Sequence, residues 1–146
     1  MKPSNTIFNT IGSKLPFISI SMAALSLLLY FCSSYAGPFL QYDRNLIANG
    51  ELWRIITGHW THCSFDHFLW CTITFIALGS ICEQLNRKGF IISLSASAII
   101  IPVVIWFADP GMLFYRGLSG ICSSIFIVGA VLMIKKALAD EDWANL

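Results

Sequence analysis

Four apolar runs dominate the 146 residues, at positions 15–36, 65–82, 90–108 and 117–134. Each is close to the roughly 20 residues that carry a helix across the hydrocarbon layer, and a soluble domain of this length has no core able to bury them all. Apolar residues make up 56% of the chain and charged residues 12%, a membrane protein's balance. A segment inside a bilayer has to satisfy its own backbone groups, so runs of this length are read as helices. The expected class is an all-α membrane protein, a polytopic helical bundle of about four transmembrane helices with an interfacial segment between the first two. Its first partner is the lipid bilayer; a net charge of +1 with no basic stripe excludes nucleic acid.

The connecting segments sharpen this picture. Lys2 and Lys14 precede the first run as in a signal peptide, but the run is long enough to span and lacks a convincing small-x-small cleavage site. Residues 39–64 are too polar to cross, yet Phe39, Tyr42, Leu52, Trp53 and Trp60 give them the amphipathic aromatics of the membrane interface. Gly37-Pro38 is expected to end the first span, and Asp109-Pro110-Gly111 is a turn. Ser93, Ser95, Ala96, Ser97 and Ala98 offer the third span a small-residue surface for close packing. Lys2 and Lys14, Arg87 and Lys88, and Lys135 and Lys136 fall on one side of the alternation, leaving only Arg44, Arg54 and Arg116 on the other. The positive-inside rule then puts both termini in the cytoplasm. The expected organisation is a cytoplasmic segment 1–14, a membrane domain 15–136 and an acidic cytoplasmic tail 137–146. Cys32, Cys63, Cys71, Cys82 and Cys122 are odd in number, without metal-ligand spacing, and mostly inside apolar runs, so they read as small hydrophobes.

Chemistry-bearing residues gather in two stretches. Tyr115-Arg116-Gly117-Leu118-Ser119-Gly120 leads into the fourth run, and glycines on either side of a serine leave its hydroxyl open to a neighbouring helix. Small residues also serve plain helix packing. The other stretch holds all three histidines, His59, His62 and His67. An ionisable group at the mouth of a span is a functional candidate by default, and His67, Cys71 and Thr74 follow one helical face. In the predicted topology His67 and Ser119 lie at a common depth, about 5 Å below the outer surface at a 1.5 Å rise per residue. His59 and His62 have a plainer reading as interfacial histidines satisfied by carbonyls and water. A three-histidine metal site is weak: gaps of three and five do not share one helix face, and no carboxylate or cysteine pair completes the set. No metal and no cofactor are expected.

Tyr42-Asp43-Arg44, Ile47, Gly50-Glu51, Trp53-Arg54, Thr57-Gly58-His59, His62 and His67, followed by Gly117-Leu118-Ser119-Gly120, resemble the rhomboid family of intramembrane serine proteases, and look closest to its rhombosortase branch. The similarity covers about residues 39–134. It implies a helical bundle in a bacterial inner (plasma) membrane, with an active site opening outward. It implies serine endopeptidase activity on transmembrane or C-terminally anchored protein substrates. By motif Ser119 matches the nucleophile and His67 an oxyanion-binding histidine, with backbone N–H groups around Ser119 completing the hole. His62 matches a supporting histidine beside the water-accessible cavity, Gly117 and Gly120 flank the nucleophile, and Trp53 and Arg54 are structural.

The chain departs from the family pattern at three places. Cys71 stands where the family has an oxyanion asparagine, and a thiol is the poorer donor. Ser123 and Ser124 replace an aromatic and a glycine. Rhomboids take the serine proton with a histidine on a later helix, whereas no histidine follows Ser119. The expectation is therefore a chain lacking its C-terminal helices and turning over little. The alternatives are a non-catalytic relative that binds transmembrane clients, or His62 or His67 taking over as base.

Overall fold

The computed structural model describes residues 14–144, with side-chain surroundings through residue 139. Most of the expected N-terminal segment and the last two residues lie outside the described residues. Helix α1 (Phe17–Phe31) is only 15 residues long. The chain leaves helical geometry at Cys32 and turns by 109° into α2 (Ser33–Leu40). The single first span predicted over residues 15–36 is thus a bent pair. Ser33 and Ser34 are weak helix formers, and Pro38 removes an amide from the ladder just beyond them. Gly37-Pro38 does not end the helix as expected; it runs through both to Leu40. Phe31, Tyr35 and Phe39 project outward around the bend. Aromatics there suit the level of the lipid headgroups.

Between α2 and the second span the chain stays short and tightly bonded. Strand β1 (Tyr42–Asp43) enters α3 (Arg44–Ala48), where the Asp43 carboxylate accepts from the Asn45 and Leu46 amides at 3.0 and 3.2 Å, capping the helix. Helix α4 (Arg54–Thr57) is followed by a 3₁₀ turn, Gly58–Trp60. Arg54 is buried and binds Glu51 at 2.7 Å, the Pro38 carbonyl at 2.8 Å and the Gln41 carbonyl at 3.1 Å. Trp53 Nε1 donates to the Phe39 carbonyl. Both residues therefore hold the interfacial segment against the end of α2.

Among the described residues, three helices are long and apolar enough to span: α5 (Phe65–Leu85), α6 (Arg87–Ala108), and residues Ser119–Ala139 of α7 (Ser119–Ala144). With the bent pair counted as one, the spans number up to four. The acidic stretch after Lys136 is helical and continues α7 to Ala144. Helix α5 is central, packing on α1, α6 and α7. Its buried residues Phe68, Cys71, Phe75, Gly79 and Cys82 recur every three or four positions, and meet Phe90, Leu94 and Ala98 of α6 and Ile121, Cys122 and Ile125 of α7. Of the expected small-residue surface on α6, Ser97 and Ala98 face the core while Ser95 faces out.

A second strand, β2 (Phe114–Tyr115), pairs antiparallel with β1, Tyr42 opposite Tyr115 and Asp43 opposite Phe114. Two-residue strands carry no periodicity to read in advance. The pairing matters because it ties the interfacial segment to the chain entering α7.

Candidate active site at the mouth of the fourth apolar helix

Ser119 is the first residue of α7 and its side chain is exposed. The turn before it is fixed from two directions. Leu118 is fully buried, and its carbonyl accepts the Cys122 amide at 2.8 Å, starting the helix ladder. Gly117 adopts φ +113°, a region glycine enters without steric penalty, and its amide donates to the Gly58 carbonyl. The first amides of α7 are left outside the ladder, and the positive end of the helix dipole lies at Ser119.

His67 sits in the first turn of α5, half-buried, where Ser64 caps the helix by accepting the His67 amide. A Cβ built on Gly117 would fall 2.5 Å from His67 Cε1 and 2.7 Å from Nε2. Only glycine lets the imidazole close on the turn that carries Ser119. Cys71, one turn further along α5, is buried, with its sulfur beside the Leu118 and Ser119 amides. Its own carbonyl receives the Cys122 thiol at 3.6 Å. Ser119, Cys71, Thr74, Cys122 and Ser123 then line one open groove between α5 and α7, of about 480 Å³, walled by Trp70, Leu78, Phe126 and Ile127. Ser119 thus shares this groove with Cys71 and Thr74 of α5.

Ser123 and Ser124 donate to the carbonyls four residues back, Ser119 and Gly120, at 3.1 and 3.3 Å. This self-bonding is how hydroxyls are satisfied on an apolar helix.

The other two histidines have different surroundings. The His62 ring is buried, 5.3 Å from the His67 ring centroid and 5.5 Å from that of Phe68. Neither nitrogen finds a hydrogen bond of good geometry among the described residues, although the Trp60 carbonyl is near enough to favour the charged ring slightly. Burial first, and then the neighbouring His67, push its pKa down to about 4. His59 is completely buried, with Nε2 3.1 Å from the Ala98 carbonyl of α6, and burial lowers its pKa as well. Both imidazoles are neutral at pH 7. The three histidines do not converge on a point, and among the described residues no group of three metal-ligating side chains does so.

Sequence reasoning passed over Tyr115. Its hydroxyl donates to the Gly117 carbonyl at 2.9 Å and lies 3.4 Å from His59 Nδ1. Tyr115 precedes Ser119 on an extended strand, so no helical spacing could have shown that the two share one site. Arg116, the next residue, hydrogen-bonds the Gln41 side-chain carbonyl.

The fold and the turn define a polytopic membrane protein with a serine presented at the N-terminus of a spanning helix, against a histidine of its neighbour. Comparison with protein families finds the Rhomboid domain over residues 49–140, well over half of the chain. The chain belongs to the rhomboid family, whose members are generally intramembrane serine proteases. A search of curated proteins finds no match.

Proposed function

We propose that the protein is a serine endopeptidase of the rhombosortase type, with Ser119 as its nucleophile, working on membrane-anchored proteins. The observation that carries this reading is the position of Ser119: exposed at the start of α7, on a groove open between α5 and α7. A stretch of anchoring chain entering that groove would meet apolar walls and a hydroxyl at the level of the first helix amides. Those amides, with His67 across Gly117, are the donors for charge developing on a scissile carbonyl oxygen. Cys71 adds only a thiol at this place, a weak donor. His62 supports the position of His67 from behind, and Gly117 and Gly120 give the room. The substrates of this reading are exported proteins with a transmembrane or C-terminal glycine-rich anchor. The setting is a bacterial inner membrane, with the N-terminus cytoplasmic and the site facing out.

One observation favours a second reading. The side chain that meets the Leu118 and Ser119 amides is the Cys71 thiol, a weak donor for a developing oxyanion. A non-catalytic member would use the same groove to hold an anchored client intact. A serine-directed fluorophosphonate applied to the purified full chain separates the two. An adduct on Ser119, together with cleavage of an anchored reporter that Ser119→Ala abolishes, is expected of the peptidase. No adduct, with the intact reporter co-purifying, is expected of the client-binding protein.

A further inference from the structure

The interfacial segment and the C-terminal half of α6 enclose a cavity of about 290 Å³ that shares no lining residue with the Ser119 groove. Tyr42, Ile47 and Leu52 line it on one side and Pro102, Trp106 and Phe107 on the other, so its walls are apolar apart from the Tyr42 hydroxyl. Leu52 and Phe107 are exposed, which opens the cavity toward lipid. Trp106 lies in the last turn of α6, just before the Asp109-Pro110-Gly111 turn, a position that suits the level of the headgroups.

Two polar groups at this cavity have capacity to spare. Tyr42 is only 1% exposed, and its hydroxyl finds no hydrogen bond of good geometry among the described residues. The Arg44 guanidinium approaches the phenol oxygen, but a guanidinium can only donate, so the phenol proton still lacks an acceptor. A buried hydroxyl is costly to leave unpaired, and what this one needs is an accepting oxygen. Arg44 lies 4.4 Å over the Trp106 ring and donates to the Trp106 and Asp109 carbonyls, both neutral. Among the described residues no carboxylate pairs with it: Asp43 caps α3, and Asp109 accepts the Gly111 amide. Its remaining N–H donors are open to an anion.

We propose that this cavity binds one glycerophospholipid, with a stretch of acyl chain against the apolar walls, an ester carbonyl accepting from the Tyr42 hydroxyl and the phosphate paired with Arg44. The cavity asks for an apolar chain, then a carbonyl oxygen, then an anion, and a phospholipid carries these three in that order. The volume holds part of one chain, so the rest of the lipid stays in the bilayer. Occupancy ties the interfacial segment to α6 through Tyr42. That residue also pairs with Tyr115 and abuts Gly58, where a Cβ would fall 2.7 Å from the Tyr42 nitrogen. The site stands apart from any chemistry at Ser119.

The test uses the full chain in a maltoside detergent, washed free of lipid and titrated with phosphatidylglycerol, while native mass spectra count the lipids that stay bound. Saturable retention of one lipid per chain is expected, with an unfolding midpoint that rises as the lipid binds. Tyr42→Phe keeps the ring and removes the donor, and Arg44→Gln removes the cation; each should weaken retention about tenfold, the size of one lost hydrogen bond to a charged or strongly accepting group. Without lipid, Tyr42→Phe should unfold at or above the native midpoint, because an unpaired buried hydroxyl has gone. Ala48→Phe fills the cavity from α3 and should abolish the one-lipid state. Glycerol phosphate in large excess should leave the bound lipid in place; if it displaces the lipid, the site is a bare anion site and the assignment fails. Retention of no discrete lipid by the native chain, or equal retention by the native chain and all three variants, overturns the proposal.

Discussion

His62 shows how much a single buried imidazole can weigh in a small membrane protein. Its ordinary pKa of about 6.5 falls to about 4 in the folded chain, so between those values the unfolded chain binds a proton that the folded one refuses. Stability from this group is therefore fully present above about pH 6.5 and is lost as pH falls toward 4, by an amount on the order of 3 kcal/mol. Unfolding midpoints in detergent at pH 7.5, 5.5 and 4 should decline, and His62→Phe, which keeps an aromatic ring beside Phe68, should flatten that decline. A variant with the native slope would place the titration elsewhere. Gly117 makes the sharper steric case. Alanine there has to hold φ +113° and put a methyl inside the His67 ring, costing about 2–4 kcal/mol in strain and displaced packing. Gly120→Ala is milder, because its methyl meets the movable tip of Ile101 at 3.0 Å, with the Tyr115 hydroxyl at 3.2 Å. The expected order of unfolding midpoints is native, then Gly120→Ala, then Gly117→Ala, and the reverse order of the two variants would show that the turn relaxes. The serine between two glycines was legible in the sequence as an accessible hydroxyl. The reason Gly117 has to be glycine was not, since it depends on a ring fifty positions away.

Among the elements, α1 is capped from another helix. Pro16 offers its N-terminus no side-chain acceptor, and the buried Glu83, at the end of α5, accepts instead from the Ile18 amide at 3.0 Å and from the Ser19 amide and hydroxyl at 2.8 and 2.9 Å. A carboxylate at a helix N-terminus complements the dipole, and Arg87 at 3.8 Å adds a partner of opposite sign. Ser19 also packs against Gly79, where a Cβ would lie 3.0 Å from its hydroxyl oxygen, so cap and helix crossing are one contact. Glu83→Ala leaves these buried donors without an acceptor and should cost about 2–4 kcal/mol, with Glu83→Gln costing about half as much because one oxygen remains. Amide exchange at residues 17–20 is the local readout: it should quicken in both variants while exchange in α7 stays as it was. Uniform quickening would mean that the cap supports the whole bundle. From sequence alone Glu83 marked only the end of a span, with Arg87 and Lys88 after it. Its acceptor role appears once α1 lies alongside α5. The same holds for β1 and β2, whose pairing joins segments more than seventy positions apart.

For the molecule as a whole, the apolar runs were readable because the bilayer demands length and composition of every span, and α5, α6 and the first part of α7 obey both. The first run obeyed composition alone. Its break at Cys32 follows from local helix weakness and not from polarity, so hydropathy passed over it. Helix continuation past Lys136 escaped for the opposite reason, since charge limits a span but does not stop a helix. This division bears on orientation, which we propose from the lysine and arginine distribution as cytoplasmic for the N-terminus. The bend keeps α1 and α2 together as one crossing in that scheme, so α5 starts on the outer side and the exposed Cys63, in the loop just before it, faces the exterior. Cys32, at the bend, is exposed as well, so Cys32→Ser is the background for the experiment. A membrane-impermeant maleimide added to intact cells is expected to label Cys63 in that background, and to label nothing once Cys63→Ser is added, because Cys71, Cys82 and Cys122 are buried. Labelling of Cys63 only after the cells are opened would reverse the orientation. It would also put Ser119 on the cytoplasmic side, because the β1–β2 pairing and the Gly58–Gly117 hydrogen bond hold the start of α7 at the same end of the bundle as this loop. The maleimide thus reports the face of the membrane on which an anchored substrate would have to present its scissile bond.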